Sequence, residues 1–105
     1  MKVAIITVNY NGKKDTLEFL ESLKKLDISG VDVNIVVVDN GSSDGSAPEI
    51  AKRYPHVEVL QTGQNLGFSG GYNFGIKHAQ AWGADYFFII NNDTLIKDRD
   101  LIKKL

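Results

Sequence analysis

The sequence contains no cysteine. Disulfides, thiolate metal sites and cysteine nucleophiles are therefore excluded, and the chain is indifferent to redox compartment. It also lacks charge of one sign: 12 Lys and Arg face 13 Asp and Glu, a formal net charge of −1. That balance argues against a polybasic nucleic-acid binder or a membrane-surface patch. Long apolar runs are missing, and nothing approaches the roughly 20 residues needed to cross a bilayer. The opening Met1-Lys2-Val3-Ala4-Ile5-Ile6 puts a charge ahead of an apolar stretch, as a leader would. It breaks at Asn9-Tyr10-Asn11-Gly12 with no small-residue cleavage site, so a buried first strand is the expectation.

What is present suits one soluble globular domain. The chain has 105 residues, 43% of them apolar and 24% charged, which is enough for a real core with little margin. Four apolar runs alternate with three amphipathic stretches. Val3 to Val8 is β-branched, as expected of a strand covered on both faces. From Lys13 to Leu26, the residues Thr16, Phe19, Leu20, Leu23 and Leu26 form one helical face. Val33 to Val38 predicts a second strand. Ser46-Ala47-Pro48-Glu49 has capping-box spacing, with Pro48 in the tolerant first turn and Pro55 ending the helix after Tyr54. Val57 to Gln61 alternates and predicts a third strand. A glycine-rich loop, Thr62 to Gly71, should lead into a helix that presents Tyr72, Ile76 and Ala79 inward and stops near Gly83. Tyr86 to Ile90 predicts a fourth strand, and Asp98 to Leu105 the opening of another helix.

Strands and helices that alternate in this way imply a parallel α/β/α sandwich with right-handed crossovers. Ligands of such sheets sit beyond the carboxyl ends of the strands. The polar clusters follow strands: Asn9-Tyr10-Asn11, Asp39-Asn40, Gln61 onward, and Asn91-Asn92-Asp93. They should gather along one sheet edge. Asp39 at a strand end can accept hydrogen bonds from a base N–H or a sugar hydroxyl, though Asp39-Asn40-Gly41 is equally good turn sequence. Gly67, Gly70 and Gly71 permit close backbone approach to a ligand or tight helix packing. The helix start that follows suits a diphosphate. Asp93 can share a hard divalent cation with phosphate oxygens, or simply end the strand in an Asx turn. His56 and His78 have no partner at metal-ligand spacing and receive no role; His78 reads as solvated and Trp82 as packing.

Taken together, these segments resemble the inverting family 2 glycosyltransferases with a GT-A fold. The likeness is carried by Val3-Ala4-Ile5-Ile6-Thr7-Val8-Asn9-Tyr10-Asn11, Val36-Val37-Val38-Asp39-Asn40-Gly41-Ser42-Ser43-Asp44-Gly45, Asn65-Leu66-Gly67-Phe68-Ser69-Gly70-Gly71-Tyr72-Asn73-Phe74-Gly75 and Ile89-Ile90-Asn91-Asn92-Asp93-Thr94. It covers nearly the whole chain, and the Asn-Asn-Asp form is most similar to the rhamnosyltransferase-type branch. The resemblance implies a Rossmann-like GT-A half with strand order 3-2-1-4. It implies that Thr7, Asn9 and Tyr10 line a nucleobase pocket, that Asp39 binds base or ribose, and that Gly67, Gly71 and Asn73 lie along the nucleotide-sugar. Asn91 and Asn92 would join the donor site. Asp93 would coordinate Mg²⁺ or Mn²⁺ as the last residue of a DxD-type motif whose first position is here Asn91.

The same resemblance implies a dTDP- or UDP-sugar donor, a glycan or lipid-linked acceptor, and no nucleic acid. Inverting transfer needs a general base for the acceptor hydroxyl. In this family that carboxylate lies well past the DxD-type motif, so no catalytic residue is assigned. Residues 1–105 are expected to form the nucleotide-diphospho-sugar-binding part, without the acceptor-binding half. The expected location is cytoplasmic, peripheral to the inner membrane face in a longer parent. Two other classes compete. A dinucleotide-binding Rossmann domain would need more glycine in its first turn than Gly12 alone. A non-enzymatic α/β interaction module would bind no nucleotide.

Overall fold

The computed structural model describes residues 1–97, 99, 101 and 102. Its elements run β1 (Lys2–Asn9), α1 (Lys13–Leu23), β2 (Asp32–Asp39), α2 (Ser46–Arg53), β3 (Glu58–Gln61), α3 (Gly67–Trp82) and β4 (Tyr86–Ile89). The strands form one sheet in the order β3-β2-β1-β4, and every pairing is parallel. The expected order is thus observed. Because side chains alternate along a strand, β1 and β2 supply two cores. Val3, Ile5 and Val37 pack on one face against Phe19, Leu20 and Leu23 of α1 and Ile50 of α2. Ala4, Ile6, Val36 and Val38 pack on the other against Tyr72 and Ala79 of α3. Both central strands are therefore apolar throughout their middles.

Register sets the level of the site. Asn9 pairs with Asp39, and Asp39 with Gln61, so the last residues of β1, β2 and β3 share one row. β4 is shorter. It leaves the sheet at Ile89, opposite Ile6, with one further bond from the Ile90 N–H to the Ile6 carbonyl at 3.0 Å.

Several boundaries differ from expectation for physical reasons. α1 ends at Leu23, not Leu26: the N–H groups of Lys24, Lys25 and Leu26 bond three residues back, which tightens the last turn. α3 begins at Gly67, so the second half of the anticipated glycine-rich loop, 67–71, is helix. Gly71 and Gly75 serve packing against the sheet. A Cβ on Gly75 would stand 2.7 Å from Ile6 Cγ2 and 2.9 Å from Val38 Cγ2. α2 has no capping box. Gly45 precedes it with φ +78°, and Asp44 Oδ1 accepts from the Ser46 N–H at 3.0 Å and from the Ser46 hydroxyl. The other oxygen of Asp44 accepts from the Lys13 N–H at 3.1 Å, so one carboxylate serves the starts of α1 and α2. The Ser46 hydroxyl, with the Lys13 and Ser46 N–H groups, holds the Asp44 carboxyl below its ordinary value of 3.8 against the opposing effect of burial. His78 is not unpartnered: its Nε2 lies 2.5 Å from Glu58 Oε2. Trp82 packs as expected, with Lys2 Nζ 5.2 Å from its ring centroid. Of the anticipated helix after Asp98, the residues Asp98, Asp100 and 103–105 lie outside the described residues.

Two stability measurements test this account. Gly75→Val is expected to cost about 1–3 kcal/mol in urea unfolding, through overpacking against Ile6 and Val38. Lys77→Val, on the exposed side of α3, is expected to stay within about 0.5 kcal/mol. The folded state lowers the Asp44 pKa, so it binds that proton less readily than the unfolded chain. The corresponding stability is present above pH 3.8 and lost as pH falls through the lower folded value. Asp44→Asn is expected to flatten that part of the acid limb and to cost about 1 kcal/mol at neutral pH from the weakened caps.

Candidate functional site

The site is built on the shared row at the end of β1 and β2. Asp39 is only 2% exposed. Its Oδ1 accepts from Asn9 Nδ2 at 2.9 Å and its Oδ2 from the Ser42 N–H at 3.1 Å. A carboxylate has about four acceptor positions, so capacity remains for a ligand donor. Asn9 is fully buried. Its Nδ2 also reaches Ser42 Oγ at 3.1 Å, and its Oδ1 accepts from the Thr16 hydroxyl at 2.8 Å. Both donors of that amide are committed within the protein. Tyr10, the next residue, is 52% exposed at the rim.

Asn40 was read from the sequence as turn chemistry and is more than that. Its carboxamide makes four hydrogen bonds. It donates to Asn65 Oδ1 at 3.3 Å and to the Gly67 carbonyl at 2.9 Å. It accepts from the Thr62 hydroxyl and the Leu66 N–H, each at 3.2 Å. The segment leading into α3 is thereby fastened to the end of β2. Gly71 sits beneath this clamp, where a Cβ would meet Val8 at 3.0 Å and Asn40 Nδ2 at 3.2 Å. Gly67, in contrast, has φ +76° and nothing within 4 Å of a built Cβ. The signal for Asn40 was available: it follows Asp39 directly, so its side chain turns to the opposite face of the sheet.

The end of β4 is held from both faces. The Tyr72 hydroxyl on α3 donates to the Ile90 carbonyl at 3.0 Å. Burial pushes the Tyr72 phenol up in pKa, and the charge of Asp93 adds to this, while the Thr7 hydroxyl and Val8 N–H oppose it. The phenol thus remains a neutral donor. Thr7 is fully buried beside it, and its Oγ1 closes no hydrogen bond among the described residues. On the α1 side, Asn92 Nδ2 donates to Thr16 Oγ1 at 3.0 Å. Asn91 and Asp93 are exposed, and the Thr94 N–H returns to the Asn91 carbonyl at 3.1 Å to close a turn.

These parts border an open cavity of about 320 Å³, lined by Val8, Tyr10, Asn40, Asn65, Gly67, Phe68 and Asn92. A larger one of about 480 Å³ lies between α1 and α2 and contains none of the strand-end residues. Of the residues singled out from sequence, Tyr10, Gly67 and Asn92 line the smaller cavity. Thr7, Asn9 and Asp39 are buried and do not line it, Gly71 is closed off by Val8, and Asn73, Asn91 and Asp93 are exposed outside the lining. Among the described residues no group of three or more His, Asp or Glu could hold a metal unaided. The donor set does fit a cation shared with a diphosphate, because magnesium takes only one or two protein carboxylates and completes its shell with phosphate and water. The first strand-to-helix turn does not fit a dinucleotide. A Cβ on Gly12 would already meet Asn92 Nδ2 at 2.8 Å and Asn9 Oδ1 at 3.3 Å, so side chains occupy the space a pyrophosphate would need.

Known proteins share this sequence pattern and this fold. Over 98 residues the chain is 30% identical to the N-acetylglucosaminyl-diphospho-decaprenol L-rhamnosyltransferase of Mycobacterium tuberculosis, covering 86% of this chain and 31% of that one. The crystal structure of S. aureus TarS 1-349 in complex with UDP-GlcNAc superposes with a TM-score of 0.85 at 28% identity, over 99% of this chain and 30% of that one. A Pyrobaculum calidifontis mannosyltransferase, PcManGT, solved with GDP-Man and Mn²⁺, shares the fold with a TM-score of 0.79 at 23% identity, over 95% of this chain and 30% of that one. The chain thus spans about a third of the length of these proteins. In the described residues no helix is long and apolar enough to cross a membrane. The model of the family described as Glycosyl transferase family 2 matches residues 4–105, and on a sheet of this order that match makes the chain a member of glycosyl transferase family 2, with a GT-A fold.

Proposed function

We propose that this chain is the donor-binding part of an inverting glycosyltransferase, and that it holds a dTDP- or UDP-sugar together with Mg²⁺ or Mn²⁺. The observation that carries the reading is the hydrogen-bonded chain joining two carboxylate-bearing strand ends. Asp39 is linked to Asn9, Asn9 to Thr16, and Thr16 to Asn92 beside Asp93, at 2.9, 2.8 and 3.0 Å. Two anionic groups on one sheet edge, with a cavity beside them, suit a ligand that has a neutral hydrogen-bonding base at one end and a diphosphate at the other. The L-rhamnosyltransferase relative supports a rhamnosyl donor, and the TarS complex with UDP-GlcNAc supports a uridine diphosphate.

In this reading Tyr10 offers its ring face to the base, and Asp39 accepts from a base N–H or a ribose hydroxyl. Asn9, which is saturated, holds Asp39 in place. The N-terminal turn of α3, whose Gly67 N–H is taken by Asn65 Oδ1 at 2.9 Å, faces the diphosphate with its positive dipole end. Asp93, with Asn91 beside it, holds the cation, which when bound offsets charge on the leaving diphosphate. Both strand-end carboxylates are then committed to the donor. Transfer needs a further base for the acceptor hydroxyl, so the chain alone binds donor without efficient turnover. We place it in the cytoplasm, where nucleotide sugars are used, at the inner membrane face in a longer parent that carries a glycan or lipid-linked acceptor.

Calorimetric titration with UDP and dTDP, with Mn²⁺ and with EDTA, tests this. Asp93→Ala is expected to remove the Mn²⁺-dependent gain. Asp39→Asn is expected to weaken binding about tenfold or more in either condition, as loss of a hydrogen bond to a charged group would. Equal affinity with and without metal, unmoved by Asp93→Ala, would refute the cation role. Absence of any nucleotide binding would refute the donor role.

A further inference from the structure

We propose that Thr16 of α1 is a positioning residue for the Asn91–Asp93 turn, and through it for the cation end of the donor site. The inference rests on the donor-binding reading but adds a residue that does not itself reach ligand. Thr16 belongs by spacing to the apolar face of α1, with Phe19, Leu20 and Leu23, and like them it is buried, at 0% exposure. A threonine hydroxyl inside a helix ordinarily bonds a carbonyl three or four residues back. This one does not. The Thr16 N–H makes the helical bond to the Gly12 carbonyl at 3.0 Å, while the hydroxyl is spent on side chains of two other segments. It donates to Asn9 Oδ1 at 2.8 Å and accepts from Asn92 Nδ2 at 3.0 Å. A valine would fill the same space without either bond, so the hydroxyl is there for its polarity.

The turn it tethers has few other anchors. Among the described residues, the Ile90 carbonyl is held by Tyr72 on one side, and the Ile96 N–H by Ser22 Oγ at 2.9 Å on the other. Between those points the only side-chain anchor is Asn92 on Thr16. The carboxamide is also seated sterically, because the missing Cβ of Gly12 leaves the room it occupies. Asn92 therefore points inward to α1, and its two neighbours, Asn91 and Asp93, are left facing solvent. The same hydroxyl donates to Asn9 Oδ1, but Asn9 grips Asp39 and Ser42 through its Nδ2, so loss of the hydroxyl falls mainly on the Asn91–Asp93 turn.

Three variants of the chain test the assignment. Thr16→Val removes the hydroxyl, Thr16→Ser keeps it, and Gly12→Ala places a methyl group against Asn92 Nδ2 while leaving Thr16 intact. In nucleotide titrations, Thr16→Val and Gly12→Ala are expected to reduce the Mn²⁺-dependent gain in UDP affinity about tenfold, the usual effect of removing a group that orients a metal ligand. Affinity in EDTA should change much less, and Thr16→Ser should restore the gain. A loss of equal size with and without Mn²⁺, or an unrestored gain in Thr16→Ser, would overturn the positioning role. A second readout does not depend on ligand. In ¹⁵N spectra, the Asn92 side-chain amide should shift and exchange faster in Thr16→Val and Gly12→Ala, with Thr16→Ser near the parent. An unchanged Asn92 amide would overturn the inference whether or not the chain binds nucleotide, whereas failure of the parent chain to bind nucleotide would sink the donor reading alone.

Discussion

The site depends on one buried hydrogen bond, from Asn9 Nδ2 to Asp39 Oδ1 at 2.9 Å. A carboxylate that is nearly inaccessible to water has lost most of its hydration, and protein donors must take the place of that water. The parallel register brings Asn9 level with Asp39 and provides one donor. The Ser42 N–H provides another, and to do so the chain after β2 must fold back over the strand end. That return has a structural consequence further along. It carries Asp44 to the point where its two oxygens can reach the Lys13 and Ser46 N–H groups. The orientation of two helix starts is thus tied to the demand of a single buried carboxylate.

Consecutive residues at the end of β2 serve opposite faces of the sheet. Asp39 belongs with Asn9 and Thr16 on the α1 side. Asn40 belongs with Asn65, Gly67 and Gly71 on the α3 side. One strand end therefore fixes both a carboxylate and the approach of the helix whose N-terminus borders the cavity. Both buried amides, Asn9 and Asn40, have their donors committed internally. Their cost of burial is offset only when their partners stay in place, so each rigidifies the loop it grips.

The alternation of strands and helices was legible because the central strands are buried on both faces, and short β-branched runs such as Val36-Val37-Val38, closed by Asp39-Asn40-Gly41, favour strand over buried helix. The strand-end clusters were legible as a shared edge because parallel topology sends every carboxyl end the same way. The start of α3 was not. Gly67, Gly70 and Gly71 read as loop, since glycine usually disfavours helix. Yet Gly71, Gly75 and Ala79 recur every four residues and are all buried, a small-residue stripe that lets the helix lie close on Ile6 and Val38. Thr16 was legible as part of a buried face, but not as a hydrogen-bond hub. Its partners Asn9 and Asn92 are 7 and 76 residues away, and only the fold brings them together. The pairing of His78 with Glu58 was hidden for the same reason.

The position of the cavity follows from unequal strand lengths. β1 continues through Asn9, whereas β4 leaves the sheet opposite Ile6. Val8, the next residue of β1 whose backbone faces that edge, therefore has no β4 partner, in a region where unpaired backbone groups are costly. The Tyr72 phenol stands at this end of the sheet and donates to the Ile90 carbonyl at 3.0 Å. A strand of full length in the same register would have covered this edge, with Asn92 level with Asn9 and Asp93 beyond that row. The early departure of β4 instead turns Asn92 back toward α1 and keeps Asp93 near the same end of the sheet as Asp39. A seam that begins as a shortfall in backbone pairing thus leaves one opening bordered by the aromatic rim of Tyr10, the N-terminus of α3 and Asn92.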